Sequence, residues 1–464
     1  MNRPFDFSAQ AREERATDPA LLASALALMY DRAIRTGWEL DMPCRQEHGG
    51  AFLARIAELL QALKQQPTPE EISSWEQSLT TYLAEGAQRD PAPRLAVALE
   101  LADEMSGLAG GFVLQFSFIP EENPAALLDS GAAPDQLLQV RGVLRLPCLP
   151  SFLGEQVRLL GNILRALGQR HLGAEDLEGW RASFAPLLPE WFAQSANACL
   201  QVQFASLDPA IGLAGGIDLE VSRIFASIES HYQRWSRTRE GPLFGEHPDA
   251  MALNVAACLG EAAAAPVLDV GAGTGRNSLA LARLGHPVDA LELTVVLTEQ
   301  LDAAVEAEGL PVRVLQGDIF DAELALPPSS YRLVLLSEVI ASHFRSVDEL
   351  RRLLIRACEL LAPGGMLLFD VFLADPDFEP SAAAREMSQL YWCWLLTPTE
   401  LQQALAGLPL VLVADEAVLD YERTHLPPEL WPPTRWYVQW TSGRNLFPVV
   451  GRPPVERHWL LCRR

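Results

Sequence analysis

Lysine is almost absent from this chain of 464 residues, which has Lys64 and no other lysine among its 36 basic residues. A Schiff-base mechanism or a lysine-containing phosphate loop is therefore nearly excluded. The basic residues are also outnumbered by 60 acidic ones, which gives a formal net charge of −24. Because such a surface repels phosphate backbones and anionic lipid, we expect no nucleic-acid partner and no membrane partner.

Paired cysteines and long apolar runs are also missing. The seven cysteines form no C-x-x-C pair, and their odd number and wide spacing predict neither a disulfide framework nor a metal site. The N-terminus lacks the apolar core of a signal peptide, and no uninterrupted apolar run reaches the length of about 18 residues that a membrane helix needs. We therefore expect a cytoplasmic protein without a membrane span.

The first half, residues 1–220, is predicted to be an α+β accessory domain without internal repeats, and its first 107 residues are predicted to be helical. Apolar spacing predicts helices at 20–42, 52–63, 94–105, 152–167 and 174–193, with another opening at 67–71. β-forming residues predict strands at 112–119, 140–146, 199–205 and 216–221. Antiparallel pairing is expected in this half.

The second half, residues 221–464, alternates strands with helices after an opening helix at 222–235. Strands are predicted at 266–270, 288–292, 312–315, 333–336, 366–372 and 410–414, with a last one at 458–462. Helices are predicted at 277–284, 296–307, 347–361 and 399–406. Such alternation predicts an α/β domain with a doubly wound, mostly parallel sheet.

A glycine-rich loop joins the first strand of the second half to its helix. The segment 267–279 reads Val-Leu-Asp-Val-Gly-Ala-Gly-Thr-Gly-Arg-Asn-Ser-Leu. Its G-x-G-x-G spacing differs from the G-x-G-x-x-G of dinucleotide-binding folds. Glycines at such a turn let a ligand lie against bare backbone, although a plain strand–helix connection would also contain them.

Three acidic residues accompany the loop. Asp269 precedes the first glycine by two positions, where a carboxylate suits a cationic ligand and repels a pyrophosphate. Glu292 ends the next strand, where an acid can accept both ribose hydroxyls. Asp318 follows the third strand and could accept from an adenine amino group, with Ile319 against the ring. A nucleoside with a positively charged tail and no phosphates satisfies all three.

The segment 268–275, Leu-Asp-Val-Gly-Ala-Gly-Thr-Gly, resembles the first motif of the class I S-adenosylmethionine-dependent methyltransferases. The segment 361–368 resembles a later motif of that family, and 275–285 is similar to tellurite-resistance-type and related small-molecule methyltransferases. This resemblance covers about residues 225–464 and leaves 1–220 unassigned. It implies a seven-stranded Rossmann-like sheet with a terminal antiparallel strand, S-adenosylmethionine as cofactor and S-adenosylhomocysteine as product.

The resemblance also implies which residues meet the cofactor. Asp269 and the glycines would contact the methionine end, Glu292 the ribose and Asp318 the adenine. The full set of expected cofactor residues is Tyr232, Asp269, Gly271, Ala272, Gly273, Thr274, Gly275, Asn277, Glu292, Leu293, Asp318, Ile319, Ser337 and Glu338.

The methyl acceptor is expected beyond the carboxyl ends of the later strands. His343 is the candidate general base there, because imidazole titrates near neutrality, and a packing role is the equal alternative. The candidate substrate residues are Tyr391, Trp431, Arg435, Trp436 and Tyr437, most of which we expect to pack against their own domain. Arg435 or Arg345 could position an acceptor carboxylate.

We therefore expect a methyltransferase that acts on a small-molecule or peptide acceptor, by O-methylation of a carboxyl or hydroxyl group, in natural-product or peptide tailoring. N- or S-methylation of a detoxification type is the alternative within the enzyme class. A non-catalytic S-adenosylmethionine-binding scaffold is a further alternative, and an NAD-dependent oxidoreductase is disfavoured by Asp269 and the glycine spacing. The first half could bind the acceptor or form a homodimer.

Overall fold

The computed structural model describes residues 16–64, 67–89, 93–101, 112–120, 133–169, 172–208, 212–225, 227–238 and 243–464. The chain forms two compact units. One comprises Tyr30–Ala226, and the other comprises Ser227–Arg464 together with Met1–Met29. The helices within the described segments are each too short or too polar to cross a bilayer.

The unit Tyr30–Ala226 is built on an antiparallel six-stranded sheet in the order β3-β2-β1-β4-β5-β6. Its strands are β1 (Arg35–Pro43), β2 (Arg94–Leu101), β3 (Phe112–Ile119), β4 (Gln139–Pro147), β5 (Cys199–Asp208) and β6 (Gly212–Ile224). The helices are α1 (Pro19–Ala33), of which Tyr30–Ala33 belong to this unit, α2 (Gly49–Ala62), α3 (Pro69–Gly86), α4 (Pro134–Leu137), α5 (Leu153–Ala166), α6 (Ala174–Phe184) and α7 (Leu187–Gln194). The antiparallel pairing expected from the sequence is confirmed.

Two segments predicted as helices are strands. In β1, Thr36, Trp38 and Leu40 are buried while Arg35, Gly37 and Glu39 are half-buried, which is a period of two. Asp41 is also buried, where it pairs with Arg94. In β2, Leu95 and Leu99 are fully buried on the same face. Burial favours the strand in both segments. A strand places every second side chain in the core, whereas a helix with the same sequence would not bury these residues on one face.

This unit contains an internal repeat, so the expectation of none is wrong. Strand β1 and helix α2 are repeated as β4 and α5 about 105 residues later along the chain. Strands β2 and β3 are repeated as β5 and β6 at nearly the same spacing. Residues 108–111 and 213–216 both read Leu-Ala-Gly-Gly, and a Pro-Cys pair lies at the end of both central strands. Residues 108–111 themselves lie outside the described segments.

The pairing of β1 with β4 gives the repeat an approximate twofold axis. Trp38 pairs with Gly142, which is its own counterpart in the second copy. A Cβ on Gly142 would lie 2.7 Å from the Trp38 Cβ and 2.6 Å from the Phe204 Cζ. Two large side chains cannot share the axis, so one copy supplies the indole and the other supplies the space for it.

The second copy differs from the first in one helix. Residues 69–86 form one helix, α3, whereas their counterparts form α6 and α7 with Pro186 between them. The single helix predicted at 174–193 is therefore wrong at this position, because proline lacks the amide that a continuous helix needs.

The unit containing Ser227–Arg464 has an eight-stranded sheet. Its order is β13-β14-β11-β10-β7-β8-β9, with β12 beside β11. The strands are β7 (Val267–Val270), β8 (Val288–Glu292), β9 (Val312–Gln316), β10 (Tyr331–Leu336), β11 (Leu361–Ala374), β12 (Leu395–Leu396), β13 (Val411–Ala417) and β14 (Val455–Arg463). All pairs are parallel except those of β14 with β11 and β13. The predicted doubly wound sheet with a terminal antiparallel strand is confirmed.

Helices accompany this sheet. They are α8 (Ile228–Thr238), α9 (Ala250–Ala257), α10 (Arg276–Arg283), α11 (Val295–Glu308), α12 (Val339–His343), α13 (Val347–Leu360), α14 (Ala382–Leu390), α15 (Pro398–Leu405), α16 (Val418–His425) and α17 (Tyr437–Thr441). The helix predicted at 222–235 starts later, because 222–224 complete β6 in the other unit.

Candidate active site

A cavity of about 450 Å³ lies at the carboxyl ends of β7, β8 and β10. Parallel pairing aligns Leu335 of β10 with Asp269 of β7, so the residues that follow both strands meet at one edge. Leu291 of β8 pairs with Val270 in the same way. The strand ends of a doubly wound sheet are where such folds bind ligands.

The three glycines of the loop have positive φ angles of 70°, 57° and 92° at Gly271, Gly273 and Gly275. A Cβ on Gly271 would lie 2.4 Å from the Val339 Cγ2, and one on Gly273 would lie 3.2 Å from a ring carbon of Phe244. Gly271 and Gly273 line the cavity, whereas Gly275 caps α10 and would collide with Leu301. Both the backbone conformation and the space require glycine here.

Glu292 is held by backbone amides. Its Oε2 accepts from the Gly273 N–H at 2.8 Å, and its Oε1 accepts from the Thr294 N–H at 2.8 Å. A carboxylate has about four acceptor positions, so two remain after these bonds. Glu292 lines the cavity and can therefore accept further hydrogen bonds from a ligand.

Asp269 is buried in the cavity wall and accepts from the Ser278 hydroxyl at 2.6 Å. Burial raises the pKa of this carboxyl to about 7. The Ser278 hydrogen bond and the Arg276 charge oppose that rise, while Asp249 and Glu292 add to it. A cation in the cavity would favour the ionised carboxylate.

A third acid and two apolar groups line the cavity after β9. Asp318 accepts from the Phe320 N–H at 2.9 Å, and Ile319 is buried beside it. The Arg352 guanidinium lies 4.6 Å from the centre of the Phe320 ring. This part of the wall offers one carboxylate and flat apolar surface.

Arg276, the residue after the third glycine, forms an ion pair with a buried carboxylate. Its Nη1 and Nη2 donate to the two carboxylate oxygens of Asp249 at 2.8 and 3.1 Å. Asn277 and Ser337 also donate to Asp249, at 2.9 and 2.7 Å. Burial raises the pKa of Asp249. The Arg276 charge, followed by the other contacts, outweighs this effect, so the pKa is lowered overall.

Glu338 follows β10 in a left-handed backbone conformation with φ 64°. Its N–H donates to Asp370 at 2.6 Å, and Arg457 donates to the other oxygen of Asp370 at 2.7 Å. The Glu338 Oε1 lies 3.3 Å from Arg276 and 3.5 Å from Arg457. Burial raises the pKa of Glu338, and the two arginines oppose that rise.

His343 is the last residue of α12 and lines the cavity. Its Nε2 lies 3.0 Å from the Tyr232 hydroxyl, whereas its buried Nδ1 has no hydrogen-bond partner among the described residues. The Trp392 ring meets the imidazole edge-on, with the ring centres 5.3 Å apart. Burial lowers the pKa of His343 to about 4, so the imidazole is neutral at physiological pH.

Most residues expected to bind the cofactor line this one cavity. They are Tyr232, Asp269, Gly271, Ala272, Gly273, Thr274, Asn277, Glu292, Leu293, Asp318, Ile319, Ser337 and Glu338, and His343 lines it too. Gly275 does not line the cavity; it lies at the N-terminus of α10.

The five residues expected to bind substrate do not line the cavity. The Tyr391 hydroxyl donates to the Met29 carbonyl at 2.7 Å, Trp431 and Tyr437 pack in one apolar cluster, and Arg435 is exposed. Trp436 packs edge-on against Trp440, with the ring centres 5.5 Å apart. The short helix α17 buries these aromatic faces within its own unit, so the predicted substrate residues do not border this cavity.

Several residues around the cavity escaped sequence reasoning. Phe244 and Trp392 contribute aromatic surface near Tyr232, and Asp249, Asp370 and Arg457 form the buried ionic network behind Glu338. Only Asp249 had a local signal, as an acid at the start of a helix after a turn-rich stretch. Arg457 lies on the final strand, far along the chain from the glycine loop.

Comparison with known proteins agrees with this geometry. Residues 267–365 match the family described as a methyltransferase domain. The chain is similar to the uncharacterized methyltransferase YodH of Bacillus subtilis (strain 168), with 29% identity over 32% of this chain and 60% of the relative. A protein of Geobacillus sp. (strain WCH70) named as a methyltransferase is 26% identical over 32% of this chain and 59% of its own length. The chain thus spans about three fifths of the length of these curated relatives.

Among solved structures, the chain is similar to a geranyl diphosphate C-methyltransferase from Streptomyces coelicolor A3(2), crystallised with Mg²⁺, geranyl diphosphate and S-adenosylhomocysteine. The identity is 16%, the TM-score is 0.37, and the match covers 46% of this chain and 80% of the other.

The matched region lies in the unit that holds the glycine loop and the cavity. Residues 267–365 thus match a methyltransferase domain, in agreement with the resemblance of the first motif to the class I S-adenosylmethionine-dependent methyltransferases. S-Adenosylmethionine is the cofactor of that class.

The cavity wall fits this cofactor. The loop leaves bare backbone where a Cβ would collide, Glu292 keeps acceptor positions for ribose hydroxyls, and Asp269 is a buried carboxyl suited to a cationic group.

Proposed function

We propose that the chain transfers a methyl group from S-adenosylmethionine to a hydroxyl group of a small-molecule or peptide acceptor. The observation that carries this proposal is the neutral, buried imidazole of His343, which lines the cavity and bonds to Tyr232. A neutral imidazole has a lone pair that can take a hydroxyl proton. When bound, S-adenosylmethionine supplies an activated methyl group on its sulfonium.

The cofactor-binding part of the proposal assigns roles to the cavity wall. Glu292 would accept from the ribose hydroxyls, and Asp318 would accept from the adenine amino group. Ile319 would pack against the base, and Gly271 and Gly273 would let the methionine end lie along the backbone. Asp269 would face the positive charge of that end.

A hydroxyl acceptor is favoured over a carboxyl acceptor by the charges in the wall. The arginines among the described cavity residues are Arg276 and Arg352. Arg276 is bound to both oxygens of Asp249, and Arg352 stacks on Phe320, beside Asp318. Arg435 and Arg345, the arginines expected to hold a carboxylate, do not line the cavity. An anionic acceptor would also meet Glu338 and be repelled.

In the proposed step the acceptor oxygen forms a bond to the methyl carbon while the carbon–sulfur bond breaks and leaves its electron pair on sulfur. The hydroxyl proton passes to His343. The low basicity of this imidazole limits it to assisting the transfer, so alignment and exclusion of water supply most of the rate. Tyr232 and Phe244 line the cavity and Trp392 packs against Tyr232, and this aromatic surface would exclude water.

N-Methylation is the second candidate, because Glu338 would also suit an amine acceptor.

The first half of the chain, residues 1–220, keeps its proposed role as an accessory domain for acceptor binding or dimerisation, with the catalytic domain at 221–464.

The experiment is incubation of the full chain with methyl-labelled S-adenosylmethionine and an extract of host metabolites. Label in an alkali-stable, neutral product supports a methyl ether. Label released by mild alkali identifies a methyl ester and overturns the hydroxyl assignment, and a labelled amine supports the second candidate. Absence of any transfer above a sample without the protein would overturn the enzymatic proposal.

A matched pair of variants locates the base. His343→Gln keeps a polar side chain of similar reach but loses the basic nitrogen, so transfer to a hydroxyl should fall by about 100-fold. His425→Gln is the control, because His425 stacks on Tyr421 at the surface and does not line the cavity. Equal rates in the wild type and the His343 variant would remove His343 from the mechanism.

A further inference from the structure

We infer that Glu338 makes this site prefer the positively charged methyl donor over its uncharged demethylated product. The inference rests on the proposed function, since it concerns the same cavity. S-Adenosylmethionine carries a sulfonium charge that S-adenosylhomocysteine lacks, so an anionic group near the sulfur distinguishes the two.

The first argument is the position of Glu338. It follows β10, the central strand that pairs with β7. The next residue, Val339, lies so close to the glycine loop that a Cβ on Gly271 would approach its Cγ2 to 2.4 Å. Glu338 therefore lines the cavity beside the loop that is proposed to hold the methionine end.

The second argument is that the charge of Glu338 is not fully balanced. Arg276 makes its two short bonds to Asp249, and Arg457 makes its short bond to Asp370. Each arginine thus has a carboxylate of its own, and their contacts with Glu338 are longer, at 3.3 and 3.5 Å. Three carboxylates share two guanidinium groups, so with all three ionised the cluster carries a net negative charge.

The third argument is the strain at Glu338. A φ of 64° is unfavourable for a residue with a side chain. The bond from its N–H to Asp370 stabilises this conformation, and Arg457, fully buried on β14, fixes Asp370 in turn. A strained residue that several elements hold in place at the end of a central strand is typical of a functional position.

Methyl transfer removes the charge that Glu338 attracts. The product is then neutral at sulfur and keeps the remaining contacts of the donor, but loses this electrostatic attraction. The preference would therefore help the product leave and a new donor enter. Arg276, Arg457 and Asp370 act through Glu338 and are positioning residues.

The test is calorimetric titration of the full chain with three probes. S-Adenosylmethionine and sinefungin both carry a positive charge near the transferred group, whereas S-adenosylhomocysteine does not. In the wild type the two charged probes should bind more tightly than the neutral one. Glu338→Gln should reduce that preference by about tenfold by weakening the charged probes, with little change for S-adenosylhomocysteine.

Two further variants make the result specific. Glu338→Asp keeps the charge and tolerates a left-handed backbone, so it should retain most of the preference. Glu422→Gln removes another buried carboxyl, which accepts from the Ala250 N–H and the Trp459 indole and does not line the cavity, and the preference should persist. Thermal unfolding of each variant identifies the temperature range in which all are folded and the titrations are compared.

The outcomes separate the two proposals. A wild-type chain that binds none of the three probes overturns the proposed function. A wild type that binds them, with Glu338→Gln weakening charged and neutral probes equally, overturns only the role of Glu338. The same loss of preference in Glu422→Gln would also overturn that role, because it would assign the effect to overall charge.

Discussion

The Tyr232 hydroxyl and the His343 Nε2 lie 3.0 Å apart, which joins helix α8 before the glycine loop to helix α12 after β10. Each of these residues alone could be a packing residue. Their contact, at the wall of the cavity and beneath Trp392, places a neutral imidazole in apolar surroundings.

The first prediction concerns the charge of His343. Its pKa is lowered to about 4 by burial, so unfolding allows it to take up a proton between about pH 6.5 and pH 4. The stability that it contributes is therefore present above pH 6.5 and is lost as the pH falls. Urea unfolding at pH 7 and pH 5 should show that the wild type loses about 1–2 kcal/mol more than His343→Gln over this range. Equal losses would mean that His343 is already protonated in the folded chain.

The second prediction concerns Asp269, whose pKa burial raises to about 7. A carboxyl with a raised pKa destabilises the ligand-free fold as the pH rises from about 4 to 7, because the unfolded chain ionises first. Binding of a cation should favour ionisation, so the affinity for S-adenosylmethionine should rise up to about tenfold between pH 6 and pH 8. Titrations in buffers of different ionisation enthalpy should detect the released proton. Asp269→Asn should remove the pH dependence, and a wild-type affinity that is constant over this range would contradict the prediction.

The third prediction tests the glycine loop. Gly271→Ala introduces a Cβ at φ 70° and 2.4 Å from Val339, so the loop must move. We expect at least a tenfold loss of affinity for S-adenosylhomocysteine, measured by calorimetry. Gly309→Ala is the control, since it has a φ of 64° but open space around it, at the end of α11. Similar losses in both variants would show that backbone strain alone is responsible.

The fourth prediction tests the twofold axis of the repeat. Gly142→Ala would force a methyl group against Trp38 and Phe204, and we expect it to destabilise its unit by about 1–3 kcal/mol. Gly179→Ala, in helix α6 with nothing within 4 Å of the new methyl, should stabilise it by roughly 0.5–1 kcal/mol. Denaturant unfolding of both variants against the wild type provides the comparison. A neutral Gly142 variant would mean that the two central strands can separate to admit a side chain.

Local pattern was sufficient for the sheet of the unit that holds the cavity. Its strands are short apolar runs bounded by glycine, proline or acidic residues, as in 288–292, where prediction and structure agree at both ends. The glycine spacing with Asp269 and Glu292 indicated the cofactor, because a loop and the strand ends beside it form a local arrangement.

The internal repeat was present in the sequence but hard to see. The two Leu-Ala-Gly-Gly segments and a few core positions are the same, whereas most other positions differ. The strand pairing reveals the repeat, because Trp38 pairs with Gly142, the residue at the equivalent position of the second copy. Helical spacing also predicts a helix over β1, where long-range pairing and burial outweigh local preference.

The sequence by itself determined the class of the protein, the cofactor and half of the residues that line the cavity, because these depend on a loop and on strand ends that neighbouring residues define. Only the tertiary structure decided that Glu338 is clamped by Asp370 and Arg457, and that Tyr437 and Trp436 pack behind the site. Those contacts join strands and helices far apart along the chain, and their geometry depends on how the sheet brings β10, β11 and β14 together.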